Sequence, residues 1–496
     1  MAVMKAKIAV DLNAPGPEIN PMIFGHFIEN LGRCIYQGGL LARNGTPREE
    51  IVQALEEMRI SVLRWPGGLF ADGYHWQNGV GPHRPVQPNV YWKKLGPWLG
   101  PKDPNLFGTH EFLALCGRLR AQPYININLA TGRPQEAAEW VQYCNGGPGT
   151  PMGKRRTENG RTAPWGVKIW GLGNEIFGWW ALGHSDAPTY AHRYLAFCDA
   201  MTAEDPTIKP VAVGACDLWP TWNPALLSRI GDKAAYLSVH VYLPGNSPRY
   251  LFLRMAHTAS NHYALCSAHV ELGRKLRFVE QQIKDTLGPD STLRIALDEW
   301  NLWWWWPHAY KVWWTMRDAV AVAGMAGVLV EHCEDLSLAN LAQAVNVLGL
   351  LHTTYDRVVK TPLYYVMKMF ASTLCGRVAG CNVDVPAYSS RRLGGIPQAE
   401  GVPFVSAYAS ADRGRFGMVV VQRRYEGPVR IEVHAPNVSF EKVQILSAPR
   451  PEARNTFKDP DRVSVTEWAP KDGKGGTVLD APAASVIALT GSRKSG

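Results

Sequence analysis

The chain has 496 residues, 46% hydrophobic and 19% charged, with a formal net charge of +9. That length exceeds what one hydrophobic core organises, so one large domain of about 250–350 residues plus a smaller one is expected. The basic excess is scattered in short groups such as Lys154-Arg155-Arg156, Arg391-Arg392 and Arg423-Arg424, with no basic helix, zinc-finger, homeodomain or RNP pattern, which argues against a nucleic-acid partner.

Along the chain, "KAKIAVDL" alternates and is expected to join a sheet formed later. From about residue 20 to 370, short apolar runs alternate with helical stretches. The runs are "PMIFGHF", "ISVLRWPGG", "PYININLATG", "VKIWGLGNE", "KPVAVGA", "AYLSVHVY", "LRIALDEWN" and "DLSLANLA". Between them, "REEIVQALEEM", "GTHEFLALCGRLRA", "RPQEAAEWVQYC" and "APTYAHRYLAFCDAM" repeat apolar residues at three and four. Eight strand/helix repeats predict an α/β fold, a (β/α)₈ TIM barrel, with chemistry at the C-terminal strand ends. After about residue 380, strands such as "VPFVSAYAS", "RFGMVVVQRR" and "SVIALTG" alternate between Gly, Pro and Asp turns, the pattern of a jelly-roll-like β-sandwich. The expected division is residues 1–18 as a strand of the sandwich, 19–380 as a catalytic barrel and 381–496 as the sandwich.

Nine cysteines at irregular spacing, without a C-x-x-C pair, predict reduced thiols rather than a disulfide framework or zinc site. The N-terminal apolar stretch is too brief for a signal h-region and no run of eighteen apolar residues occurs, so a cytoplasmic protein without a membrane segment is expected. Nineteen tryptophans supply flat faces on which sugar rings or bases can stack, although core packing accounts for most tryptophans.

Polar residues fall where the barrel strands should end: Glu29, Arg64, Asn128, Asn174 with Glu175, His240 with Tyr242, and Asp298, Glu299 and Asn301. Glu175 and Glu299 each terminate a strongly apolar strand, and two facing carboxylic acids are the minimum apparatus of a glycoside hydrolase. Either acid alone is equally well read as a salt-bridged structural residue. The apolar surroundings of Glu175 predict a raised pKa, keeping a proton on it until the bond breaks. Arg64 supplies a cation beside a nucleophilic carboxylate, or a structural ion pair. "GLGNEIFG" lacks the third glycine of a dinucleotide fingerprint, "GTHEFLALC" lacks the second histidine of a zinc-protease helix, and no phosphate loop or nucleophile elbow occurs. Acid–base chemistry without cofactor or metal is the expectation.

The motifs "FGHFIENLGRCIYQGG", "LRWPGGLFADGYHWQNGVGP", "NLFGTHEF", "WGLGNE", "SVHVY", "LDEWN" and "LAQAVNVL" closely resemble glycoside hydrolase family 51, whose best-known members are α-L-arabinofuranosidases. The resemblance spans the barrel in order and the sandwich loosely. It implies that Glu175 is the general acid/base and Glu299 the retaining nucleophile. Asn174 is then expected to bond the hydroxyl beside the anomeric carbon, Glu29 to bind further hydroxyls, and Tyr242 with Arg64 to orient Glu299. His240 is placed in the same polar cluster, and Trp98 and Trp179 shape the cleft.

Two departures bear on specificity: Leu69 stands where the family usually has Asn or Cys, and Gly349 where it usually has Gln. Both positions are expected to line the sugar pocket, making it roomier and less polar. An exo-acting arabinofuranosidase on arabinoxylan or arabinan fragments leads. An endo-β-1,4-glucanase, with Trp303 to Trp306 as stacking surface, or another glycosidase specificity of the family stands as the alternative. A non-catalytic carbohydrate-binding protein is the reading from another class. The resemblance further implies a homo-oligomer, a hexamer.

Overall fold

The computed structural model describes residues 3–90, 102–470, 472–473 and 476–493. Eight parallel strands close a barrel in chain order: Gly25–Phe27, Val62–Trp65, Gln122–Ile127, Ile169–Leu172, Lys209–Val213, Tyr236–Pro244, Arg294–Trp303 and Leu336–Leu341. They are called barrel strands one to eight below. Helices such as Glu49–Glu57, Thr109–Leu119, Pro134–Asn145 and Ala187–Glu204 return the chain between strands. Strand one is shorter than its apolar run. Pro21, fixed in φ and without an N–H, starts a 3₁₀ turn over Pro21–Phe24 that the Asn20 side chain caps at the Met22 N–H.

The barrel interior is filled rather than open. Val62, Tyr124, Ile169, Val211, Tyr236, Ala296 and Leu338, one from each of strands two to eight, form their own buried cluster, which plugs the barrel. Strand one contributes Gly25, where a Cβ would run into Val62 and Asn340. Most remaining apolar residues bury between the strands and the surrounding helices.

The second body is a ten-stranded antiparallel-rich sheet folded over its own core, which includes Ile8, Val10, Met418, Ile431, Ile445 and Leu489. Its corner is the strand Arg377–Asp384, whose first residues pair with Val405–Asp412 and whose last residues pair with Met4–Asp11. That strand begins before the expected 380/381 boundary. Met4–Asp11 then runs parallel to Val429–His434. All nine cysteines are free thiols and seven are buried. Among the described residues, no helix is long and apolar enough to cross a membrane.

Candidate active site

Of the expected strand-end residues, Glu29, Asn174, Glu175, Tyr242 and Glu299 line one cavity of about 830 Å³ at the C-terminal end of the barrel, together with Leu69 and Trp179. Chain geometry explains how two neighbours, Asp298 and Glu299, both serve it. In a regular strand they would face opposite sides. Strand seven carries a bulge: Ala296 pairs with Ser238, but Glu299, three residues on, pairs with His240, only two residues on. The extra residue re-aims the side chains, and both acids reach one imidazole. His240 Nε2 stands 3.2 Å from Asp298 Oδ1, and its Nδ1 stands 3.6 Å from Glu299 Oε2.

Glu299 is held from two sides. Arg64 Nη1 donates to Oε1 at 2.8 Å and the Tyr242 hydroxyl to Oε2 at 2.8 Å. The other arm of Arg64 donates to Asn174 Oδ1 at 2.7 Å, so a single guanidinium fixes the carboxylate and the amide together. Arg64 has no exposed surface, which makes it a positioning residue rather than one that touches a ligand. The Pro66-Gly67-Gly68 turn makes room. A Cβ at Gly67 would overlap Glu29, and one at Gly68 would stand 2.8 Å from Glu299 Oε1.

Glu175 follows strand four with a left-handed φ of +48°, a costly conformation for a residue with a Cβ and one that functional sites retain. Its Oε2 accepts from Trp180 Nε1 at 2.5 Å and its Oε1 lies 2.9 Å from His240 Nδ1. One ligand atom from each of Glu175, His240 and Glu299 lies within 4.8 Å of the others, so the two acids face each other across a gap under 5 Å. Two carboxylates and an imidazole could also ligate a cation; with the imidazole protonated, the ring offsets one of the two negative charges and Arg64, on Glu299, the other.

That proton corrects the expectation for Glu175. Burial does push its carboxyl up, but the His240 cation and the Trp180 N–H outweigh burial, and the net direction is down. Burial opposes the charge on His240 as well, yet Glu299, Asp298 and Glu175 surround the ring and push its pKa up to about 10. Without substrate, the shared proton therefore resides on His240, one hydrogen bond from Glu175. Asp298 is held down at about 2, burial being overcome by Arg64 and His240. Glu29 behaves oppositely: burial and the nearby Glu299 push it up to about 8, against donation from the Phe70 N–H and Gln343. Near neutral pH it holds its proton and can donate to a hydroxyl.

Trp179 lies at the mouth, 81% exposed, and Leu69 is on the wall, half-buried. Trp98 lies outside the described residues. Gly349 is not on the wall. A Cβ there would press on the Asn346 and Val345 backbone, and the cavity is lined by Val347 and Leu348 instead. The tight turn thus removes position 349 from the pocket, and the expected gain of room there does not arise. Asn301 is buried behind strand eight, donating to the Ala342 carbonyl. Sequence reasoning named Asp298 at a strand end without giving it a role, and missed Trp180, Gln343 and Asp72. The last accepts from the N–H groups of Leu129 and Asn174, each at 3.2 Å. Asp72, Trp180 and Gln343 lay within or beside the quoted motifs, whereas the role of Asp298 depended on a bulge that alternation does not reveal.

Comparison with known proteins agrees with this fold. The family model "Alpha-L-arabinofuranosidase 1 domain" matches residues 54–250, and "Alpha-L-arabinofuranosidase C-terminal domain" matches residues 298–485. The chain is similar to an intracellular exo-α-L-arabinofuranosidase of Bacteroides ovatus, at 31% identity over 96% of this chain and 93% of the relative. A probable α-L-arabinofuranosidase C of Aspergillus clavatus is 33% identical over 77% of each chain. Among solved structures, the α-L-arabinofuranosidase of Thermotoga maritima in its arabinose complex superposes with a TM-score of 0.83 at 31% identity, covering 98% of this chain and 100% of that one. The thermostable family 51 α-L-arabinofuranosidase of Thermotoga petrophila gives the same score, identity and coverage. A barrel carrying two facing acids, joined to a sandwich and matched along nearly its whole length by these proteins, places this chain in the α-L-arabinofuranosidase family of glycoside hydrolases, family 51.

Proposed function

We propose that the enzyme is an exo-acting, retaining α-L-arabinofuranosidase that releases arabinose from arabinoxylan or arabinan oligosaccharides by double displacement. The observation that carries this reading is the gap of less than 4.8 Å between the oxygens of Glu175 and Glu299. Retaining pairs stand about 5–5.5 Å apart, whereas inverting pairs need about 6.5–9.5 Å to admit a water. Glu299 attacks the anomeric carbon while Glu175 protonates the leaving oxygen, and Glu175 then draws a proton from water as the glycosyl-enzyme is hydrolysed. The proton for the first step comes from His240. A bound sugar strips remaining water from Glu175, which favours the neutral carboxyl and moves the proton across the 2.9 Å hydrogen bond. Asn174 and Glu29 bind sugar hydroxyls, and Trp179 shapes the mouth.

The arabinofuranosyl specificity is supported by the names of the relatives. A cytoplasmic location is supported by nine free thiols and by the Bacteroides relative being described as intracellular. A homo-oligomer, a hexamer, is proposed on the family resemblance and is read by light scattering. The division into residues 1–18, 19–380 and 381–496 is part of the proposal. The first boundary is supported by the pairing of Met4–Asp11 within the sandwich, while the sandwich strand starting at Arg377 moves the second boundary a few residues earlier.

Kinetics on aryl α-L-arabinofuranoside, aryl glucoside, aryl xyloside and soluble cellulose test the specificity, with NMR of the first-formed anomer testing retention. Turnover of the arabinofuranoside with retained configuration is expected. Endo-cleavage of glucan without arabinofuranoside turnover overturns the reading.

A further inference from the structure

The cavity has a graded composition. Its polar groups are at depth: Asn174 is 2% exposed, Glu29 3%, Gln343 4% and Glu299 7%. The outer wall is apolar. Val90 is 38% exposed, Leu182 41% and Trp179 81%, and all three line the same cavity. Surface positions usually favour polar side chains, and apolar residues grouped around a concavity mark a binding surface. The grouping is built into the chain. A Cβ at Gly73 would overlap Val90 and stand 3.4 Å from Leu182, so the missing side chain leaves room for both beside it. Trp179 meets Trp180 edge-on at 5.7 Å, and Trp180 holds Glu175, which ties the apolar mouth to the acid that protonates the leaving group. On another part of the wall, Trp306 stacks on Trp303 at 5.8 Å and 16°. Apart from the acids and the amides and hydroxyl at depth, Asn246 is the one polar side chain among the described lining residues, and its Oδ1 already accepts from the Trp306 N–H.

From this gradient we infer that the leaving-group side of the site takes apolar alcohols, so that long-chain alkyl arabinofuranosides are substrates in addition to oligosaccharides. Once the sugar occupies the deep polar cluster, its glycosidic oxygen points to Glu175, and whatever it carries lies along Trp179, Leu182 and Val90. A second sugar there finds stacking surface but few partners for its hydroxyls, while a hydrocarbon chain or aromatic ring loses water contact at each step outward. The inference rests on the arabinofuranosidase reading above.

The test is kcat/KM for methyl, butyl and octyl α-L-arabinofuranosides below micelle-forming concentrations, with arabinobiose alongside. The three alcohols have nearly the same acidity, so the series isolates burial from leaving-group chemistry. With each buried methylene favouring binding several-fold, kcat/KM should climb by about tenfold or more from methyl to octyl. The octyl-to-methyl ratio should shrink toward one in Leu182→Asn and in Trp179→Ser, both at exposed positions that tolerate substitution. A flat alkyl series with arabinobiose still cleaved overturns this inference and leaves the arabinofuranosidase reading standing. A ratio unchanged in both variants also overturns it. Absence of turnover on every arabinofuranoside overturns both.

Discussion

At the scale of single residues, His240 decides how one proton serves three acids. Its ring lies 2.9 Å from Glu175, 3.2 Å from Asp298 and 3.6 Å from Glu299, and this company holds its pKa at about 10. His240→Gln keeps a polar side chain but removes the cation. The variant should lose kcat/KM by about 10²-fold on alkyl arabinofuranosides, which need a proton, and much less on activated aryl arabinofuranosides, which leave without one. A merely structural role would lower both equally. Stability carries a second signature. A group whose pKa rises on folding stabilises the fold fully below its unfolded value, 6.5 for histidine, and this contribution disappears as pH climbs toward 10. Asp298 and Glu175 act with the opposite sign. Their pKa values fall from 3.8 to about 2 and downward from 4.5, so their contribution is present above those ordinary values and is lost in acid. The melting temperature of the wild type should therefore peak between about pH 4.5 and 6.5. The gap to His240→Gln should be widest at and below pH 6.5 and shrink on the alkaline side.

At the scale of elements, the site depends on loops after strands two, three and four being tied together, and Asp72 is the tie. Its carboxyl receives the N–H groups of Leu129 and Asn174, and its own carbonyl accepts from Thr131 Oγ1 at 3.2 Å. Burial pushes its pKa up to about 7 despite those donors. Asp72→Ala leaves two buried N–H groups without a partner, each costing about 1–3 kcal/mol, and frees Asn174 and Glu175 from their anchor. A lower unfolding midpoint together with a fall in kcat larger than the change in KM is expected from calorimetry and kinetics. The eight barrel strands were legible because apolar runs and helical periods alternate, and that alone gathers the residues after each strand on one face. What the sequence concealed were departures from regularity. A bulge in strand seven turned Asp298 toward His240, the turn at Leu348-Gly349 took position 349 off the wall, and Pro21 shortened strand one. The protonation of Glu175 was also hidden, because its apolar neighbours in sequence say nothing of an imidazole 65 residues away.

At the scale of the molecule, barrel and sandwich are joined by packing that neither forms alone. Helix Met316–Glu331, which follows strand seven, presents Gly327 to the ring of Tyr408 on the sandwich strand Val405–Asp412. Nearby, His262 Nε2 reaches the Arg423 carbonyl at 2.7 Å, and the Arg423 guanidinium, itself fully buried, donates to Ser406. Gly327 is therefore a residue of the joint, not of the helix. By intrinsic preference, Gly327→Ala should stabilise the helix by up to about 1 kcal/mol. A Cβ there, however, would stand within the Tyr408 ring, and overpacking costs about 1–3 kcal/mol. The second effect should win, giving a net loss in denaturant unfolding. Tyr408→Leu removes the ring and leaves a cavity, so it too destabilises. Combined, the two changes compensate, and the double variant should be more stable than the sum of the single losses allows. Coupling of about 0.5–3 kcal/mol is the range for side chains in contact. Strict additivity in that cycle would mean that the two bodies do not meet at this glycine.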